Sequence, residues 1–143
     1  MVPLGASWVA ERVRERIALH DLSEAAPRAT RISASIGVAI ARPDLRRVIC
    51  IAGDGSIMMN LQELQTISGL HLPIKMFVLN NLGYHSIRQT QANFFPGRVV
   101  GCGTESGLSF PDFGKVAGAF GLPFVRCARH ADLEAMIEQT LSV

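Results

Sequence analysis

Asp54, Asn80, Asn81 and Gly83 are the residues whose types and spacing could do chemistry. Asp54 offers a carboxylate, the two asparagines offer amide oxygens, and Gly83 leaves a backbone carbonyl unobstructed. All are hard oxygen donors, a set suited to Mg²⁺ and not to zinc. Gly53 and Gly55 flank Asp54, and Ser56 follows. Glycines there permit backbone angles closed to other residues and let N–H groups approach an anion. The turns Gly53-Asp54-Gly55-Ser56 and Asn80-Asn81-Leu82-Gly83 together describe a magnesium and diphosphate site.

Two apolar strands, Val48 to Ala52 and Lys75 to Leu79, must position these turns, because each runs directly into one of them. Between the strands, Ile57 to Gly69 reads as a crossover helix with an apolar stripe of Leu61, Leu64, Ile67 and Leu70, stopped by Gly69. Such a βαβ unit, with its right-handed crossover, brings the C-terminal ends of both parallel strands to one edge of the sheet. Open α/β sheets bind ligands at that edge. Either turn alone is an ordinary loop signal. Their placement at the ends of two neighbouring strands makes them a site.

The motif GDGS, followed after Leu79 by NN, resembles the cofactor signature of thiamine-diphosphate-dependent enzymes, and NNLGYHSIRQTQ resembles its continuation in the acetolactate synthase and 2-oxo-acid decarboxylase branch. The resemblance covers roughly Ser33 to Val143. It implies that Asp54, Asn81 and the main-chain oxygen of Gly83 hold Mg²⁺, with Gly53, Gly55, Ser56 and Tyr84 on the cofactor. It further implies that the cofactor's ylid attacks a 2-oxo acid such as pyruvate. In this family the aminopyrimidine ring, and the glutamate that starts ylid formation, belong to a different domain, often of another subunit. Nothing here matches such a domain, so no catalytic residue is assigned in this chain.

The 143 residues, 48% of them hydrophobic, suit one domain with a real core. The net charge of +2 is scattered, which gives nucleic-acid binding little support. No apolar run approaches the ~20 residues that cross a bilayer, and no basic-then-apolar leader opens the chain; a cytoplasmic protein is expected. Cys50, Cys102 and Cys127 lack CxxC spacing and are expected as free thiols, Cys50 and Cys127 as small apolar fillers in strands. No nucleophile elbow or P-loop is present.

The first 30 residues read as a separate, poorly matched segment. Trp8, Val9, Val13, Ile17 and Leu22 recur at helical spacing among charges, which predicts an amphipathic helix. Ser33 to Ala41 predicts a helix on the sheet, capped by Ser33, with Ile36, Val38 and Ile40 inward and Pro43 as a stop. The family introduces this helix with a Gly- and Met-containing segment. Ala29-Thr30-Arg31-Ile32 stands there instead, a departure that bears on the completeness of the site.

Met58 and Met59 are expected in the core. Tyr84 to Gln89 opens a helix at the mouth of the site, and His85 and Arg88 are its best candidates for touching substrate. Asn93 to Phe110 reads as a long loop. Asp112 predicts a helix cap, with Phe113, Val116, Ala117 and Phe120 following and Gly121 ending the helix. Pro123 to Cys127 predicts a strand, and Ala131 to Leu141 a last helix with Leu133, Met136, Ile137 and Leu141 inward.

The expected fold is therefore a three-layer α/β domain with a mostly parallel sheet, the thiamine-diphosphate-binding domain over residues 31–143, incomplete at its N-terminus. The expected function is the Mg²⁺- and thiamine-diphosphate-binding part of an acetolactate synthase-like enzyme, completed by a pyrimidine-binding domain or subunit and oligomeric. The other reading is a noncatalytic remnant or assembly module. Three origins fit the sequence: a natural subunit, an excised domain or a truncated gene product, the last slightly favoured by the unusual first 30 residues.

Overall fold

The computed structural model describes residues 31–143, so the helix expected around Trp8 to Leu22 lies outside the described residues. In chain order the elements are α1 (Arg31–Ala41), β1 (Val48–Gly53), α2 (Asp54–Met59), α3 (Glu63–Gly69), β2 (Ile74–Leu79), α4 (His85–Phe94), α5 (Phe113–Ala119) and α6 (Leu133–Ser142). Short 3₁₀ turns lie at Thr104–Ser106 and His130–Asp132.

β1 and β2 pair in parallel, with Val48 opposite Ile74 and Gly53 opposite Leu79. Side chains alternate across a strand, so each strand feeds two layers. Cys50 and Ala52 of β1, with Ile74, Met76 and Val78 of β2, face a core built from Ile32 and Ile36 of α1, Ile57 of α2, Leu64 and Ile67 of α3, and Phe113 and Val116 of α5. Ile49, Phe77 and Leu79 face the other way, against Ile137, Leu133 and Leu141 of α6. Helices on both faces of a parallel pair make the three-layer α/β arrangement. Burial pushes the Cys50 thiol above its ordinary pKa, so it sits in this core as a neutral filler.

Several elements differ from expectation. α1 starts at Arg31 and not at a Ser33 cap, and Arg31 Nη1 donates to Ile51 O at 3.1 Å. Ile40 points outward. The crossover already begins at Asp54 and breaks at Asn60, whose side-chain amide donates to Ser33 Oγ at 3.2 Å. Because the second segment ends at Gly69 and His71 turns at φ 50°, Leu70 leaves the apolar stripe and is 58% exposed. Met58 and Met59, expected in the core, are 36% and 51% exposed, on the side of α2 away from buried Ile57.

The C-terminal part follows its caps. Asp112 Oδ1 accepts from Lys115 N at 3.0 Å, and Gly121, at φ 67°, takes the left-handed position after α5. Pro123 to Cys127 is not a strand, since no ladder partner runs beside it among the described residues. It is fastened instead by Arg126, which pairs with Asp112 at 2.7 Å and lies over the Phe124 ring. Cys127 is exposed and is no core filler. α6 begins at Leu133 because His130–Asp132 forms a 3₁₀ turn, where Asp132 is held by Arg129. No helix among the described residues is long and apolar enough to cross a membrane.

The Asp112 cap has a pH signature. The Lys115 N–H, and after it Arg126, hold this carboxyl below the ordinary carboxylate range. A folded-state pKa below the unfolded value means the stabilisation is complete above about pH 3.9 and is lost as pH falls through the folded value. Asp112→Ala is expected to melt below the wild type at pH 7. In thermal melts followed by circular dichroism, that gap narrows as the pH is lowered through the depressed folded-state value and closes below it.

Candidate metal and diphosphate site

The register that sets Gly53 opposite Leu79 starts the two turns side by side at the C-terminal edge of the sheet. Asp54 follows Gly53 at the first position of α2 and is 1% exposed. Its Oδ1 accepts from Gly55 N at 2.7 Å and its Oδ2 from Gly83 N at 3.0 Å. One carboxylate thus ties the first turn to the second. Among the described residues no Lys, Arg or His pairs with it. A buried carboxylate without countercharge is costly, and two N–H donors offset only part of that cost. Each oxygen keeps a further lone pair.

Gly83 is buried and forms an antiparallel bridge with Gly103. Tyr84 N donates to Cys102 O at 2.9 Å. That N–H shares a planar trans peptide with the Gly83 carbonyl, so the carbonyl must project away from Cys102. Asn80 Oδ1 accepts from Leu82 N at 3.2 Å, and Leu82 sits at φ 59°, which shapes the turn. Asn81 is exposed, and its side chain makes no hydrogen bond among the described residues. The Ser56 hydroxyl likewise has no partner among them and sits half-buried in the first turn of α2.

The glycines are needed for a different reason from the one the sequence suggests. Gly53, Gly55 and Gly83 all avoid the positive-φ region; Gly53 has φ −78°. Close approach explains two of them. A Cβ on Gly55 would enter the Tyr84 ring, 2.6 Å from Cδ1, and a Cβ on Gly83 would overlap the Cys102 carbonyl oxygen. At Gly53 a Cβ would meet nothing nearer than 4.0 Å, so the space beside this turn is open.

The structure therefore brings Gly53, Asp54, Gly55, Ser56, Gly83 and Tyr84 together and leaves Asn81 at the open rim. His85 is exposed. Arg88 folds back, its Nε 3.3 Å from Glu105 Oε1. The segment Cys102 to Ser106, read as irregular, is a built strap: Ser106 Oγ accepts from Cys102 N at 3.0 Å and Gly103 N at 2.9 Å, and Gly101 N donates to Ser106 O at 2.9 Å. Its signal in the sequence is the Gly-Cys-Gly run followed by Ser106.

The donor set fits Mg²⁺. One carboxylate, one amide oxygen and one main-chain carbonyl leave the remaining positions of an octahedron to water and phosphate oxygens, the habit of this ion. No group of three His, Cys, Asp or Glu side chains that could form a cage exists among the described residues. A buried, unpaired carboxylate beside open space is what such a cation would neutralise.

Fold and site define an α/β domain whose two strand-end turns gather oxygen donors around one buried carboxylate. The profile of the thiamine pyrophosphate enzyme C-terminal TPP-binding domain matches residues 11–143, and the chain belongs to that family. Its relatives include the acetolactate synthase large subunit of Cyanidium caldarium, 40% identical over 78% of this chain and 18% of that protein. Another is the acetolactate synthase isozyme 2 large subunit of Escherichia coli (strain K12), 38% identical over 78% of this chain and 20% of that one. The chain spans about a fifth of the length of these relatives. The thiamine diphosphate-dependent 4-hydroxybenzoylformate decarboxylase of Rhodococcus jostii RHA1 shares the fold, with a TM-score of 0.70 at 24% identity over 80% of this chain and 21% of that one.

Proposed function

We propose that this chain is the thiamine-diphosphate- and Mg²⁺-binding part of an acetolactate synthase-like enzyme acting on 2-oxo acids such as pyruvate. The observation that carries this reading is the buried Asp54 carboxylate joining the two turns at the sheet edge. Asp54, Asn81 and the Gly83 carbonyl would hold the metal. Ser56 is the freer donor for a diphosphate oxygen, because the Gly55 N–H is already engaged by Asp54. Tyr84, packed on Gly55, would fix the wall of the first turn. When bound, the cofactor supplies the nucleophilic carbon and the electron sink for decarboxylation.

The chain's own part is to hold the diphosphate end and screen its charge. The pyrimidine end, and the acid–base group that acts on it, would come from a partner domain or subunit, so the working unit is an oligomer. A cytoplasmic setting accords with these roles.

The test is calorimetric titration of the chain with thiamine diphosphate, in Mg²⁺ and again in EDTA. Saturable binding in Mg²⁺ that EDTA weakens by more than about 10-fold, equivalent to ~1.4 kcal/mol, supports the reading. A folded chain that binds in neither condition supports the noncatalytic remnant.

A further inference from the structure

We infer that Arg88 is a positioning residue for the Gly83 carbonyl, acting through the strap and not through substrate. The inference rests on the metal and diphosphate reading above and adds to it the group that keeps the second turn in place. Arg88 was a candidate for substrate contact on sequence grounds, as the first strong cation after the turn. Its geometry points elsewhere. The Nη2 atom lies 2.8 Å from where a Gly83 Cβ would be, and the same atom occupies the space a Gly103 Cβ would need. The guanidinium thus covers the two residues of the Gly83–Gly103 bridge, neither of which has a side chain to fill that space.

On its other side Arg88 meets Glu105, which belongs to the 3₁₀ turn directly after Gly103. Nε is shielded from solvent and has no hydrogen-bond partner among the described residues, so the 3.3 Å approach to Glu105 Oε1 is a charge contact and not an aligned bond. The side chains of the pair are 35% and 56% exposed, and attraction between such charges is weak. What Arg88 contributes is chiefly a flat group packed over two bare peptide segments, with the charge orienting it.

The consequence concerns one peptide plane. The Gly83–Tyr84 peptide is held on one edge by Tyr84 N–H to Cys102 O, and the preceding N–H of Gly83 is held by Asp54. The strap that carries Cys102 can lift off only if the Gly83–Gly103 bridge opens, and Arg88 is anchored across that bridge from α4, its own N–H donating to Tyr84 O at 2.9 Å. Groups that orient a metal's ligands typically cost 10–100-fold in affinity when removed. Arg88 stands in that relation to Gly83.

The test compares wild type, Arg88→Ala, Arg88→Lys and Glu105→Gln by amide hydrogen exchange in the ligand-free chain and by Mn²⁺ titration with thiamine diphosphate, read by electron paramagnetic resonance. In Arg88→Ala the Gly83 and Tyr84 amides are expected to exchange faster while β1 and β2 keep their protection, and Mn²⁺ binding weakens about 10-fold. Arg88→Lys restores part of both effects, and Glu105→Gln has the smallest effect. Wild-type exchange at Gly83 and Tyr84 in Arg88→Ala would overturn the inference, as would loss of protection spread evenly over the sheet in both Arg88 variants. Should Arg88→Ala fail to fold, Arg88→Lys and Glu105→Gln decide by the same local exchange. A wild-type chain that binds no Mn²⁺ refutes the cofactor reading instead, and the exchange comparison still decides whether Arg88 holds the turn.

Discussion

Replacing Asp54 by alanine is expected to abolish metal-dependent binding of thiamine diphosphate and to destabilise the empty chain as well. The two effects have separate origins. In the empty chain the carboxylate satisfies the N–H groups of Gly55 and Gly83. Removing it leaves each buried donor short of a partner, at about 1–3 kcal/mol apiece before any water enters. In the loaded chain the same substitution deletes the only acidic donor of the set, so affinity should fall by more than the roughly 10–100-fold typical of an outer-shell loss.

Asp54→Asn separates them. The amide keeps one acceptor oxygen and removes the buried charge, so its melting point without ligand should lie above that of Asp54→Ala. Mg²⁺ and thiamine diphosphate are expected to raise the melting temperature of the wild type, and without a carboxylate that rise should disappear. Ligand at 100 times its dissociation constant is worth about 2.7 kcal/mol, enough to resolve in a thermal shift. An Asp54→Asn chain that gains as much as wild type would show that the metal is held elsewhere.

Gly83→Ala is expected to be the most damaging substitution of a single methyl group. The added Cβ would collide with the Cys102 carbonyl oxygen, which is backbone, and would lie 2.8 Å from Arg88 Nη2. A side-chain tip can swing aside, but a carbonyl fixed by a bridge cannot. Relief requires the strap to move, which breaks the Tyr84 N to Cys102 O bond and turns the Gly83 carbonyl. Overpacking of this kind typically costs about 1–3 kcal/mol, and binding should fall with it. The control is Gly118→Ala in α5, where a Cβ meets nothing within 4 Å. There the methyl group lowers the chain entropy of the unfolded state, and stability should hold or rise by up to about 1 kcal/mol in urea melts. Equal losses in the two variants would refute the strap.

The strands and the turns that follow them were legible in the sequence because two apolar runs, each ending in a polar turn and separated by a helix-length segment, point jointly to a βαβ unit. The Asp112 cap and the Gly121 stop were legible for the same local reason. What the sequence did not disclose depends on distant chain. Pro123 to Cys127 has the composition of a strand, but a strand also needs a neighbour, and none of the described residues supplies one. Met58 and Met59 are apolar enough for a core, yet the helix that carries them begins at Asp54 and turns Ile57 inward in their place.

The candidate site was legible as a set of residues and not as an arrangement. Glycine at positions 53 and 55 suggested unusual backbone angles, and glycine at 83 an unobstructed carbonyl; the structure shows Gly55 closely packed by Tyr84 and Gly83 by Cys102, residues 29 and 19 positions away. Arg88 looked like a cation offered to substrate, and only the fold reveals Glu105 and two glycines beneath it.

The measurement that bears most directly on the central claim is paramagnetic broadening of amide resonances by Mn²⁺ in the presence of thiamine diphosphate. Asp54 at the joint of the two turns predicts that Gly55, Ser56, Asn81, Leu82 and Gly83 broaden first and together, and that Asp54→Asn abolishes the effect. Broadening centred on any other part of the chain, or unchanged in Asp54→Asn, would contradict the account.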